Sequence, residues 1–442
     1  MNIQLSDHFT YKRLFKFTAP SIIMMVFTSI YSIVDGFFVS NYVGKTPLAA
    51  VNFIYPLLML ISSIGFMFGT GGSALIGKTL GEGDRQKANR MFSLFVYITI
   101  ILSVVVSAAC FILLEDIAAL LGAEGEMLKE SVLYGRILLV SLPFLMLQFE
   151  FQSFFVTAEK PQLGLVMTVV AGVCNMVLDW LFIAVLGWGL VGAAVATATS
   201  QFAGGIMALL YFCFNKNSLL RLGKTSFSGK AVIKACTNGS SELLSNVSMS
   251  LISMLFNIQL LKYAGEDGIA AYGVLMYINL IFLSIFIGYS TGIAPVVSFH
   301  FGANNTSELR NLLHKSILIM SLSSLLMFIA GEVFGPLLAG IYVGYDGALL
   351  DMTIRAFAIY SFSFLFSGIA IFGSAFFTAL NDGLTSAVIS TLRTLIFEVA
   401  AVLILPLLLG IDGIWLSIVT AELLALIATV IFLAAKKKKY RY

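Results

Sequence analysis

Gly44 through Asn52 read GKTPLAAVN, and Gly265 through Gly273, offset by 221 residues, read GEDGIAAYG. The same offset pairs GGSALIGKTLGEGD (71–84) with GIAPVVSFHFGANN (292–305), and Thr157-Ala158 with Thr378-Ala379. Three matches at one offset mark an internal duplication, so one half of the chain predicts the plan of the other. The expected division is an N-terminal bundle over 1–214, a basic linker over 215–237 and a C-terminal bundle with a basic tail over 238–442.

The material between the matches is strongly apolar. Of 442 residues, 59% are hydrophobic and 11% charged, and mean hydropathy is +0.97. A soluble domain carries about 25% charged residues, so this chain has too few ionic side chains to cover a water-facing surface. With 38 Phe and only 8 Pro, disorder is excluded as well. A helix crossing the bilayer needs about 20 apolar residues. The hydrophobic blocks, cut at charged or Gly/Asn/Asp-rich breaks, give about twelve spans, six per half. The runs are too long and continuous for the alternating strands of a β-barrel. The expected fold is an all-α integral membrane protein of two pseudo-symmetric six-helix bundles. An even span number per half gives both halves the same orientation, related by an axis along the membrane normal.

Charge placement orients the bundle. Most of the 26 Lys and Arg fall in alternate connections and the two chain ends, including Lys12, Arg13 and Lys16, Arg85 to Arg90, Lys216 to Lys234, and the tail Lys436 to Arg441. The other side carries Lys45, Lys129 and Lys262, with Arg136 and Arg355 near span ends. The positive-inside rule then puts both termini in the cytoplasm of a cell with the chain in its plasma membrane. The linker reads both as a connection and as an anchor obeying that rule.

Ionisable groups inside spans are costly and normally face a cavity or a partner. Asp35 lies deep in the first span, with Tyr31 one turn earlier on the same face. Asp179 lies mid-way along the fifth, with Asn175 one turn earlier. Two such acids can exchange a proton or hold a small cation between oxygen ligands. Glu150, flanked by Gln148 and Gln152, suggests a polar stripe along the fourth span that lines a cavity, and Glu242 with Asn246 offers polar groups in the seventh. Arg393 precedes Glu398 by five residues, so the two are expected to neutralise each other, while Glu422 has no evident partner. Pro20, on the helix that carries Asp35, removes a backbone donor and marks a bending point.

Other patterns are expected to carry no chemistry. GSALIGKT (72–79) meets the phosphate-loop order literally, but no soluble strand precedes it and no soluble helix follows. Cys110, Cys174, Cys213 and Cys236 lack metal-ligand spacing and suggest no disulfide framework. His8, His300 and His314 are scattered. No cofactor, no nucleic acid and no ATP-driven step is expected, nor is an enzymatic activity; the partners are the bilayer, small solutes and ions, and the chain is expected to be a monomer.

With these residues in place, the chain resembles the multidrug and toxic compound extrusion (MATE) family. The likeness rests on YSIVDGFFVSNYVG (31–44), the loop GKTLGEGDRQKA with its second-half counterpart FGANNTSELRN, YGRILLVSLPF, and NMVLDWLFI followed by GLVGAAVATATSQ. The resemblance implies an antiporter in which H⁺ or Na⁺ enters while organic, often cationic, compounds leave by alternating access. It implies Asp35 and Asp179 as the coupling carboxylates, with Asn175, Tyr31 and Thr197 as polar companions and Pro20 as the bend of the first helix. No metal site is implied unless Na⁺ sits at Asp35 and Asp179. Some family members add acids in spans 7 and 10; span 10 here has none in its apolar stretch, which favours the N-terminal site. The alternative is a flippase or exporter of a lipid-linked or endogenous metabolite, which would be expected to line its cleft with Arg or Lys.

Overall fold

The computed structural model describes residues 3–215 and 217–442; Lys216 lies outside them, as do the side chains of Lys45 and Thr46. Every regular element among the described residues is helical. The N-terminal half comprises α1 (Tyr11–Tyr42), α2 (Lys45–Gly81), α3 (Arg85–Leu120), α4 (Gly125–Thr157), α5 (Pro161–Val185) and α6 (Gly189–Phe214). A 74-residue helical run, Gly229–Gly302, follows; at Gly265 the backbone turns to φ 65, ψ −150. That break yields α7 (229–264) and α8 (266–302). Then come α9 (Thr306–Val343), α10 (Gly347–Ala379), α11 (Gly383–Leu409) and α12 (Ile411–Tyr440). Among the described residues eleven helices are long and apolar enough to cross a membrane, and the Gly265 break makes twelve spans of them. The expected linker is shorter than the sequence reading put it, because 229–237 already belong to α7.

The duplication recurs in the turns. Gly44 and Gly265 both leave the helical region at φ 117 and 65, and Gly83 and Asn304 take positive φ at the same offset, as do Gly189 and Gly410. Next to the second pair, Asp84 caps α3 by accepting from the Lys87 N–H, and Asn305 caps α9 by accepting from the Glu308 N–H. Short polar side chains at these positions satisfy the orphan donors of a helix start.

The halves meet along a seam at the end that carries both chain termini. A Cβ on Gly71 of α2 would strike the Ala235 carbonyl of α7, one on Gly81 the Phe299 carbonyl of α8, and one on Gly302 the Lys78 carbonyl. Gly288 and Gly292 of α8 similarly admit α1 at Ser21 and Thr18. Without a hydrophobic drive between helices in lipid, such small-residue approaches hold the packing. Asn381, between α10 and α11, adds a polar stitch by donating to the Ala74 carbonyl of α2 at 3.0 Å. Gly36 and Gly273, towards the far end, have no such neighbour: a Cβ on either would meet nothing within 4 Å.

The chain-end face is strapped as well. The segment before α1 lies across both halves: the Leu5 N–H donates to Glu159 Oε1 at 2.7 Å, and the Phe9 N–H to Glu308 Oε1 at 2.9 Å. His8 Nδ1 pairs with Glu308 Oε2 at 2.6 Å. The connection after α6 runs along α3, held by Arg221 N–H to Asn89 Oδ1 at 2.7 Å and Thr225 hydroxyl to the Arg90 carbonyl at 2.7 Å.

Candidate functional site

α5 and α1 pack closely because Gly172 leaves room for aromatic rings. A Cβ there would lie 2.5 Å from Phe27 Cε1 and 2.9 Å from Tyr31 Cδ1. One helical turn beyond that approach, the chain places Asp35 on α1, Asn175 and Asp179 on α5, and Thr197 on α6. Asn175 Nδ2 lies 3.4 Å from Thr197 Oγ1. Asp35 has the Asp179 carboxyl and Thr197 as its side-chain neighbours. Asp179 and Asn175 are buried at 0% and 2% exposure. Asp179 closes the α-helical part of α5, and a π-helical turn, Trp180–Val185, follows it directly. Such turns cluster at functional sites because they re-aim neighbouring side chains. Gly192 lets α6 close onto that turn at Phe182.

The sequence-predicted set Asp35, Asp179, Asn175, Tyr31 and Thr197 is therefore brought together in one place. Neither Asp179 oxygen, nor Asp35 Oδ1, has a donor among the described residues. Two facing carboxylates without donors are strongly disfavoured in a low-dielectric interior, and a proton or a small cation between them removes that cost. Two tyrosines that single helices do not connect to the pair lie in its neighbourhood. Tyr55 of α2 lies near Tyr31 and Asp35, and Tyr134 of α4 lies near Asp35, Asp179 and Tyr55. Tyr55 has no acidic neighbour in sequence and Tyr134 has only Glu130 one turn earlier, so only packing brings Asp35 and Asp179 to them.

The remaining candidates fall elsewhere. Glu150 is fully buried; its backbone lies against Gly69 of α2 and its carboxyl faces Thr99 of α3. Gln148 turns to α6, where a Cβ on Gly204 would sit 2.8 Å from its Oε1. Residues two apart point to nearly opposite faces of a helix, so Gln148 and Glu150 do not form one stripe. Glu242 and Asn246 lie on α7, where Asn246 Nδ2 donates to the Glu242 carbonyl at 2.9 Å, and Glu242 lies towards Arg393 rather than Asp35. Arg393 is neutralised by Glu422 of α12, which corrects the expected pairing with Glu398. Pro20 is buried within α1, which continues through it as one helix. The segment GSALIGKT lies wholly within α2, and Gly77 packs on Ser298 of α8, so no phosphate-cradling loop exists there. All four cysteines are free, and the described residues hold no group of three or more His, Cys, Asp or Glu able to ligate a metal.

Comparison with known proteins agrees with this architecture. The chain is 24% identical to the multidrug export protein MepA of Staphylococcus aureus (strain MRSA252) over 95% of this chain and 93% of that protein. It is equally similar to MepA of Staphylococcus saprophyticus, 24% identical with the same coverage. A solved outward-facing conformation of a multidrug resistance MATE family transporter of the MOP superfamily superposes with TM-score 0.93 at 22% identity, over all of this chain and 98% of the other. The MatE family model matches twice, over residues 20–181 and 243–404, once in each half; the chain belongs to the MatE family.

Proposed function

We propose that the protein is a cation-coupled antiporter that exports organic, often cationic, compounds across the plasma membrane by alternating access, with both termini in the cytoplasm. The observation that carries this reading is the facing pair Asp35 and Asp179, buried in the N-terminal half without donors on Asp179. An incoming H⁺ or Na⁺ neutralises the pair; Asn175, Thr197 and Tyr31 supply the polar surroundings, and oxygen ligands of this kind suit a hard cation. Neutralisation frees α1 and α5 to repack, and Pro20 gives α1 a place to bend. Changing which side is open from mostly one state to mostly the other takes about 5.5 kcal/mol of differential binding, a scale that charge loss in a buried site can supply.

The glycine seam that joins the halves at the chain-end face supports a resting arrangement closed towards the cytoplasm. Glu242 with Asn246 on α7 is a secondary candidate for substrate contact in the C-terminal half. The flippase alternative is disfavoured by Arg393, whose charge is already taken up by Glu422.

The test is dye efflux from cells or vesicles under imposed pH or Na⁺ gradients, with Asp35→Asn and Asp179→Asn beside the unmodified protein. Loss of gradient-driven efflux in either variant is expected. Undiminished efflux in both would remove the site assignment, and efflux driven by neither gradient would remove antiport.

A further inference from the structure

The outer surface of the N-terminal half carries a second candidate site, independent of the Asp35 pair. α3 and α4 leave two adjoining depressions of about 610 and 720 Å³ that share Phe111 and Val140. The first is an apolar channel along Ile100, Val104, Ala108, Leu139 and Phe144, reaching Leu209 of α6. The second ends among Glu115, Lys129 and Arg136. Val104 lies near the middle of α3. From there to Glu115 the helix climbs about 16 Å at 1.5 Å per residue, about half of the 30 Å hydrocarbon core. The channel thus has the depth of one leaflet, with its charged mouth at headgroup level on the side opposite the chain ends.

The mouth has an unused donor. The Arg136 guanidinium lies over the Phe111 ring, 5.5 Å from its centroid. Its Nη2 is 3.7 Å from the Glu115 carboxylate, beyond hydrogen-bond length. Its Nε is buried and has no acceptor among the described residues. Two cations and one carboxylate at the top of an apolar channel complement a headgroup with one phosphate and one primary ammonium.

We propose that this groove binds a phospholipid with an ethanolamine headgroup. One acyl chain occupies the channel, the phosphodiester accepts from Arg136 and Lys129, and the ammonium donates to Glu115. A choline headgroup has no N–H to donate, and a glycerol headgroup offers no cation to Glu115.

The full-length protein in detergent, titrated with ethanolamine, choline and glycerol phospholipids of identical acyl chains, tests this by native mass spectrometry. The ethanolamine lipid is expected to bind about tenfold more tightly than the other two, the scale of one charge-assisted hydrogen bond. Arg136→Ala should weaken all three lipids, since each carries the phosphodiester, and Glu115→Ala should abolish the preference for ethanolamine. Ala108→Trp, at an exposed position lining the channel, should weaken all three lipids while leaving the charged mouth intact. Lys262→Ala, a basic residue in the other half, should change nothing. Equal binding of the three lipids to the unmodified protein would overturn the proposal, as would unchanged ethanolamine-lipid binding in both Arg136→Ala and Ala108→Trp. Melting of each variant without added lipid separates lost binding from lost folding, and a misfolded Arg136→Ala leaves Ala108→Trp to decide.

Discussion

Arg393 of α11 grips Glu422 of α12 through Nε at 3.0 and 2.9 Å and Nη2 at 2.7 Å. The side chains are only 16% and 12% exposed. A guanidinium presents its donors in a fixed fork, so this geometry is specific as well as strong. Removing one partner of such a pair strands a charge, which typically costs about 3–5 kcal/mol, whereas replacing both by apolar groups is often near neutral. Glu422→Gln is therefore expected to lower the melting temperature in detergent, and Arg393→Met with Glu422→Leu to recover most of the loss. A Glu422→Gln protein that melts with the unmodified one would show that Glu398 takes over.

The seam between the halves makes a second prediction. Gly71→Ala puts a methyl group into the Ala235 carbonyl, where both neighbours are backbone and cannot turn aside. The halves must separate at the chain-end face. Distances between spin labels placed across that face should lengthen, and thermal stability should drop by about 1–3 kcal/mol, as overpacking typically does. Gly273→Ala, which meets open space, is the matched control and should leave both unchanged. Identical distances in the two variants would refute the seam.

Gly172 sets the aromatic wall of the Asp35 site. A methyl group there must displace Phe27 or Tyr31, whose rings lie 6.1 Å apart and tilted. Gly172→Ala is expected to slow efflux several-fold at normal protein levels, since a displacement of about 1 Å in a positioned site can cost about 10²-fold. Efflux at the unmodified rate would mean that Tyr31 is not needed where it stands.

The segment before α1 hangs on Glu308, which accepts from the Phe9 N–H and the Asn311 amide and pairs with His8. Glu308→Ala removes all three, so the amide of Phe9 should lose its protection from hydrogen exchange while amides in the middle of α9 keep theirs. Retained protection at Phe9 would show that the remaining ties, the Lys315 ammonium and Asn311 amide donating to the Phe9 carbonyl at 2.6 and 3.1 Å and Leu5 on Glu159, hold the strap without Glu308.

Asp382 docks the basic tail. It caps α11 at the Thr385 N–H, accepts from the Tyr440 hydroxyl at 2.7 Å and faces Lys436 at 3.3 Å. Burial pushes its carboxyl up, but the Tyr440, Thr385 and Lys436 donors outweigh that and hold it below the ordinary carboxylate range. A depressed folded value means the contribution is complete above about pH 4, the unfolded value, and is lost as pH falls through the lower folded one. Asp382→Asn keeps a capping oxygen but removes the charge that faces Lys436, so it should lower the melting temperature at neutral pH. The difference from the unmodified protein should shrink on acidification. A difference constant with pH would exclude titration of this carboxyl as its source.

The amino-acid sequence alone determined the spans, their duplication and the acids within them. These follow from local rules: apolar run length, an offset that repeats turns such as Gly83 and Asn304, and the rarity of charge in hydrocarbon. It also determined that Asp35 and Tyr31, or Asp179 and Asn175, share a face, since helical period fixes neighbours within one helix. Which faces meet across helices was decided only by the tertiary structure. It joined Tyr55 and Tyr134 to the Asp35 pair, turned Glu150 and Gln148 to different neighbours, gave Arg393 to Glu422 rather than Glu398, and continued helix through the expected linker from Gly229. The reason is physical: a partner on another helix depends on how closely two backbones approach. Here that approach is set by glycines such as Gly71, Gly172 and Gly302, whose meaning in sequence is ambiguous until the opposing carbonyl or ring is known.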